Sequence, residues 1–88
     1  MKTPTTCTHV VCTDFDGGEG ILVDLNTKKY FQLNETAMLI WRGLEQLKAV
    51  EQIVEDVTAQ YEVTSDQALR SVERMIEQFR DYRLVTAD

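Results

Sequence analysis

The sequence predicts an α+β fold: a three-stranded antiparallel sheet followed by three helices, in a winged helix-turn-helix-like arrangement. Three observations carry this. Residues 9–33 hold three short β-prone runs separated by turn residues. Beyond residue 34 the apolar residues change to the three-and-four spacing of amphipathic helices. Asn34 stands at the junction and fits a helix N-cap, because its side-chain oxygen can accept from a first-turn amide.

The elements follow in order. Residues 1–7 are polar, hold the only proline and are expected to be a loose tail. Residues 9–15 (HVVCTDF) make the first strand, and Asp16-Gly17-Gly18-Glu19-Gly20 is a turn built from residues that tolerate positive φ. In the second strand Ile21, Val23 and Leu25 alternate with Leu22 and Asp24. Asn26, Thr27 and Lys28 supply turn chemistry before a third strand that ends at Leu33. Leu33 and Met38 sit at the spacing of a hydrophobic staple, so this strand runs into the first helix without a loop.

That helix is expected over residues 35–47, with Ala37, Ile40, Trp41, Leu44 and Leu47 as its buried stripe. Gly43 inside it costs about 1 kcal/mol against alanine, a sign of close packing or fraying. A second helix over residues 50–60 starts after Ala49, which has no capping acceptor. Thr64 and Gln67 stand at capping-box spacing and open a third helix running to about Tyr82. Its apolar positions span an arc of roughly 140°, wide enough for one flank to face a core and the other a groove. Asp66 and Arg70 form a favourable i,i+4 pair on it.

Composition limits the function. The 88 residues suffice for one domain, residues 1–88. No run of 18 apolar residues occurs, so no membrane span is expected. Cys7 and Cys12, if on one strand, are roughly 17 Å apart, beyond disulfide reach. Free thiols without a signal peptide point to the cytoplasm. The net charge of −6 argues against a general phosphate-backbone binder.

The run GILVDLNTKKYFQLNETAMLIW, then VEQIVEDVTAQY, then the amphipathic helix ending in Leu84-Val85, resembles the PqqD-like family of RiPP recognition elements. The closest likeness is to the stand-alone members that serve lasso-peptide biosynthesis. The resemblance implies a protein that binds the leader peptide of a ribosomally made precursor and presents it to a leader peptidase and other maturation enzymes such as a cyclase. It implies that the leader adds as a strand beside Lys29–Leu33 and lies in a groove against the helix at residues 68–82. The implied peptide-binding residues are Lys28, Lys29, Tyr30, Phe31, Gln32 and Leu33 on the hairpin, with Ala68, Ser71, Val72, Met75 and Phe79 on the helix. Lys28 occupies a turn position usually held by glycine, where a left-handed residue costs of order 1 kcal/mol. Alternation puts Lys29, Phe31 and Leu33 on one strand face and Tyr30 and Gln32 on the other, without showing which face is core.

Other readings compete. Arg70 and Arg74 are either a solvated face paired with Asp66 and Glu73 or contacts for acidic leader side chains. The helix-turn-helix would suit a small DNA-binding transcription regulator, but Asp66, Glu73, Glu77 and Asp81 offset the arginines of the third helix and argue against nucleic acid as a partner. Cys7, His9 and Cys12 supply three candidate metal ligands where a structural zinc site wants four, so no metal is expected. One histidine and no glycine-rich phosphate loop leave no catalytic constellation, and the expectation is a non-enzyme without cofactors.

Overall fold

The computed structural model describes residues 4–86. Three strands come first, β1 (Val10–Asp14), β2 (Gly20–Asp24) and β3 (Lys29–Leu33), in an antiparallel sheet of that order. Helices α1 (Glu35–Glu45), α2 (Val50–Gln60) and α3 (Ser65–Asp81) follow. The α+β order of sheet and then helices is as the sequence predicts.

The strand alternation resolves into two faces. Cys12, Leu22 and Phe31 align across the sheet and point at the helices. Val11, Val23 and Tyr30 align one register over and form the outer face, which no helix covers. Lys28 closes the β2–β3 turn at φ 64°, the left-handed region that the turn requires.

The caps are those the residue types call for. Asn34 Oδ1 accepts from the Ala37 amide at 2.9 Å, so Asn34 alone separates the end of β3 from the start of α1. Thr64 and Gln67 form a reciprocal capping box with both bonds at 3.2 Å. Ala49 gives α2 no side-chain cap.

One core unites the layers. Leu22 of β2, Ile40, Trp41 and Leu44 of α1, Ile53 of α2 and Val72 of α3 are fully buried together. Trp41 packs edge-on against Phe79, with ring centroids 5.2 Å apart and planes at 80°. Gly43 reflects close packing rather than fraying: a Cβ there would lie 2.7 Å from Ile53 Cγ1, so α2 approaches α1 at the one position without a side chain.

Two expectations fail. Leu47 does not extend the buried stripe. α1 ends at Glu45, and Leu47 turns left-handed (φ 59°) while Lys48 N–H closes onto Gly43 O, leaving the Leu47 side chain 71% exposed. Nor are residues 4–7 a loose tail. Cys7 N–H donates to Leu84 O at 3.0 Å, Thr86 N–H donates to Thr5 O at 2.8 Å, and Thr6 bridges Val85. The polar composition of the segment hid a pairing with a partner some 80 residues away. Met1–Thr3, the rest of the expected tail, lie outside the described residues.

Trp41 is the test of this core. Trp41→Ala removes the ring that bridges α1 to α3 and leaves a cavity, and chemical denaturation should show a loss of about 3–5 kcal/mol. Iodide should quench the Trp41 fluorescence of the folded wild-type protein only weakly.

Candidate functional site

β3 is an edge strand, and the hydrogen-bond parity of the sheet shows which of its backbone groups are free. Leu25 N–H bonds His9 O and Phe15 N–H bonds Glu19 O, so odd-numbered residues on the β2 side of that pair face β1. Antiparallel strands alternate, so Asp24, Leu22 and Gly20 turn their backbone groups to Lys29, Phe31 and Leu33. The amides and carbonyls of Tyr30 and Gln32 therefore face the open edge. The side chains of Tyr30 and Gln32 point to the outer sheet face and are exposed, whereas Phe31 is half-buried and Leu33 buried against the helices.

A groove of about 370 Å³ runs along this edge. Tyr30, Phe31, Gln32 and Leu33 form its strand wall, and Met75, Gln78, Phe79 and Tyr82 its helix wall. Asn34, Ala37 and Leu84 close the floor and end. Leu84 is held in place from two sides: its N–H donates to Phe79 O at 2.8 Å and its carbonyl accepts from Cys7. The N-terminal segment thus braces the groove floor.

The helix wall lies further along α3 than the sequence-derived assignment. Ala68 and Val72 are buried in the core, 1% and 0% exposed, and do not line the groove. Ser71 is exposed and also outside it. Met75 and Phe79 do line it. The physical reason is that β3 passes only the C-terminal half of α3, while the N-terminal half spends its apolar face on the shared core. Gln78 and Tyr82 were missed. They continue the i, i+3, i+4, i+7 stripe from Met75, so the periodicity held the signal but not the crossing point. Arg70 and Arg74 are exposed, outside the groove, and in no ion pair among the described residues, including the expected pair with Asp66. Lys28 and Lys29 stand exposed at the β3 entrance.

The other sheet edge offers a different surface. A second depression, about 290 Å³, lies near the end of β1 between Asp14, Glu35, Met38 and Arg42. Arg42 is bound there to Asp14 and, at 2.9 Å, to Glu45, so charge pairs cross the ground an apolar ligand would need. Both cysteines are free and half-buried, and burial raises the Cys12 thiol above its ordinary pKa although Arg42 opposes it. Among the described residues no cluster of three His, Cys, Asp or Glu is placed to hold a metal ion. No helix among them is long and apolar enough to cross a membrane.

The family model for coenzyme PQQ synthesis protein D (PqqD) matches residues 19–85. This chain belongs to the PqqD family. Its fold superimposes on that of TbiB1, solved in complex with the TbiA(beta) leader peptide, with a TM-score of 0.88, 27% sequence identity and 96% of each chain covered. It also shares its fold with a lasso peptide synthetase B1 complexed with the leader peptide, at TM-score 0.86 and 23% identity over 96% of this chain and 98% of that one. No curated protein matches the sequence.

The part matching the PqqD model spans both groove walls and the turn that aims the strand wall. Asp24, 3% exposed, anchors that turn. Its Oδ1 accepts from the Asn26 amide at 2.9 Å and the Thr27 amide at 3.2 Å, and His9 Nε2 lies 3.8 Å from Oδ2. Burial works against the charged carboxylate. The bonds from Thr27 and Asn26, with His9 adding, outweigh it and hold the carboxyl below its ordinary pKa. Asp56 is likewise lowered, chiefly by Lys48 Nζ at 2.7 Å.

The sign of the pH dependence follows. A carboxyl whose folded pKa lies below its unfolded value contributes stability above the unfolded value, about 3.9, and loses it as pH falls through the folded one. In this PqqD-family chain, Asp24→Asn keeps an acceptor oxygen but cannot titrate. Thermal melts from pH 7 to pH 2 should show a lower Tm than wild type at neutral pH and a shallower decline below about pH 4, the remaining slope including Asp56.

Proposed function

We propose that this PqqD-family protein binds the leader segment of a ribosomally made precursor by strand addition and presents it to processing enzymes, a leader peptidase and a cyclase, in lasso-peptide biosynthesis. The observation that carries the reading is the open edge at Tyr30 and Gln32 facing an apolar groove, in a fold shared with TbiB1, which was solved with a leader peptide bound. The leader would pair its backbone with those two residues, the mode in which main-chain bonds give affinity and alternate side chains give specificity. Every second leader side chain would then enter the groove between Phe31 and the Met75–Phe79 surface. Met75 suits this role because an unbranched thioether adapts to varied shapes.

The groove-lining residues Tyr30, Phe31, Gln32, Leu33, Met75 and Phe79 are the proposed contacts. Lys28 and Lys29 would meet acidic leader side chains at the entrance, an exposed contribution that salt screens. In this reading the protein works by holding and orienting its peptide and takes no catalytic step itself. A cytoplasmic location fits its free thiols.

Calorimetry with a synthetic leader peptide of the cognate precursor tests the proposal. Gln32→Pro deletes an edge amide without touching the β2–β3 ladder, which a proline at Phe31 would break. Met75→Asp places a charge in the groove. Each should weaken binding at least tenfold, about 1.4 kcal/mol, with the circular dichroism spectrum retained. Leu47→Ala, remote from the groove, should bind as wild type, and duplex DNA should not compete. Binding that survives both groove variants would contradict the proposal.

A further inference from the structure

The exposed flank of Phe31 is already covered. On one side its cross-strand neighbour is the fully buried Leu22, and inward lies the core. The free-edge side has no strand. There the Tyr82 ring packs on Phe31, with centroids 4.8 Å apart and planes tilted by 50°. Phe31 and Tyr82 belong to facing walls of the groove along the free edge, so the Tyr82 ring stands where a strand added to that edge would place the side chain directly opposite Phe31.

Tyr82 is also free to leave. It is 56% exposed and caps α3 rather than lying within it. Its hydroxyl makes no hydrogen bond among the described residues, and the next residue, Arg83, is already left-handed at φ 58°. The backbone stays fixed, since Tyr82 N–H bonds Gln78 O at 3.1 Å and Leu84 is pinned beyond it. Only the ring needs to move, by rotation about its own side-chain bonds.

We infer that Tyr82 is a stand-in for a peptide side chain: it covers Phe31 in the free protein and is displaced when a bound strand supplies its own residue there. The inference rests on the strand-addition reading above and adds a specificity rule to it. The leader residue opposite Phe31 competes with an aromatic ring for one site. A large apolar or aromatic side chain restores the cover that Tyr82 gives up. A small or polar one leaves Phe31 bare. The groove thus discriminates at this position through a contact that must first be broken.

The test uses the full-length protein and the same synthetic leader. Removing the competitor should help binding, so Tyr82→Ala should bind the leader about threefold to tenfold more tightly than wild type, the ordinary worth of one aromatic pair. Tyr82→Phe keeps the ring contact and should not show this gain. In the wild-type protein, proton NMR should show Phe31–Tyr82 ring cross-peaks in the free state that vanish at leader saturation. Tighter binding of Tyr82→Ala together with loss of the cross-peaks supports the inference. Unchanged or weaker binding by Tyr82→Ala, or cross-peaks that persist in the complex, overturns it. If wild type binds the leader and Gln32→Pro loses it while Tyr82→Ala gains nothing, only the Tyr82 inference falls. If wild type does not bind the leader, the underlying reading falls with it.

Discussion

A strand that is to accept a partner must be held still while one of its edges stays unpaired. β3 meets this demand by being fixed at both ends. Before it, the buried Asp24 carboxylate ties down the amides of Asn26 and Thr27 and sets up the left-handed Lys28. After it, Asn34 caps α1 at once, so the strand passes into a core helix with no loop to flex. The inner row of Cys12, Leu22 and Phe31 prevents a one-residue slip, which would turn Leu22 and Phe31 out to solvent and bring Val23 and Tyr30 in. With register and both ends fixed, the Tyr30 and Gln32 backbone groups keep constant positions, and an added strand need not order its template before pairing with it.

The second wall of the groove depends on contacts that are distant in sequence. α3 reaches β3 only with its last turns, and Trp41 sets that approach by packing edge-on against Phe79 from α1. Beneath them, Leu84 is pinned by its bond to Phe79 and by the pairing of residues 5–7 with 84–86. The N-terminal segment therefore contributes to the groove without lining it. Of the two sheet edges, the β3 edge opens on apolar side chains, while the β1 edge lies near the Asp14–Arg42–Glu45 charges. The edges differ in backbone too: on β1 the Val10 N–H is bonded to Cys7 O at 3.2 Å, whereas nothing among the described residues pairs with the Tyr30 or Gln32 amide.

Local features were legible in the sequence because their causes are local. Alternation located the strands, the Thr64–Gln67 spacing located the start of α3, and Asn34 marked the strand-to-helix junction. The left-handed Lys28 was implied only by the family resemblance, which usually has glycine at that turn position. What could not be read depended on where elements meet. The apolar stripe of α3 is continuous from Ala68 to Tyr82, and nothing in its period says that the core takes the first half and the groove the second. Ala68 and Val72 were therefore assigned to the groove, and Tyr82 and Gln78 were passed over. Leu47 followed the α1 period, but the helix stops two residues short of it, and a left-handed leucine is not a signal that residue type supplies. The N-terminal segment looked loose because its partner lies at the opposite end of the chain.

If β3 offers its Tyr30 and Gln32 backbone to a leader strand, amide hydrogen exchange registers the pairing residue by residue. In the free protein the Tyr30 and Gln32 amides should exchange quickly and those of Phe31 and Leu33 slowly, since the latter are bonded to β2. At leader saturation Tyr30 and Gln32 should become slow as well, with the amides of β1 unchanged. Exchange at Tyr30 and Gln32 that stays fast in the saturated complex, or new protection at Cys12 and Asp14 on the β1 edge instead, would contradict it.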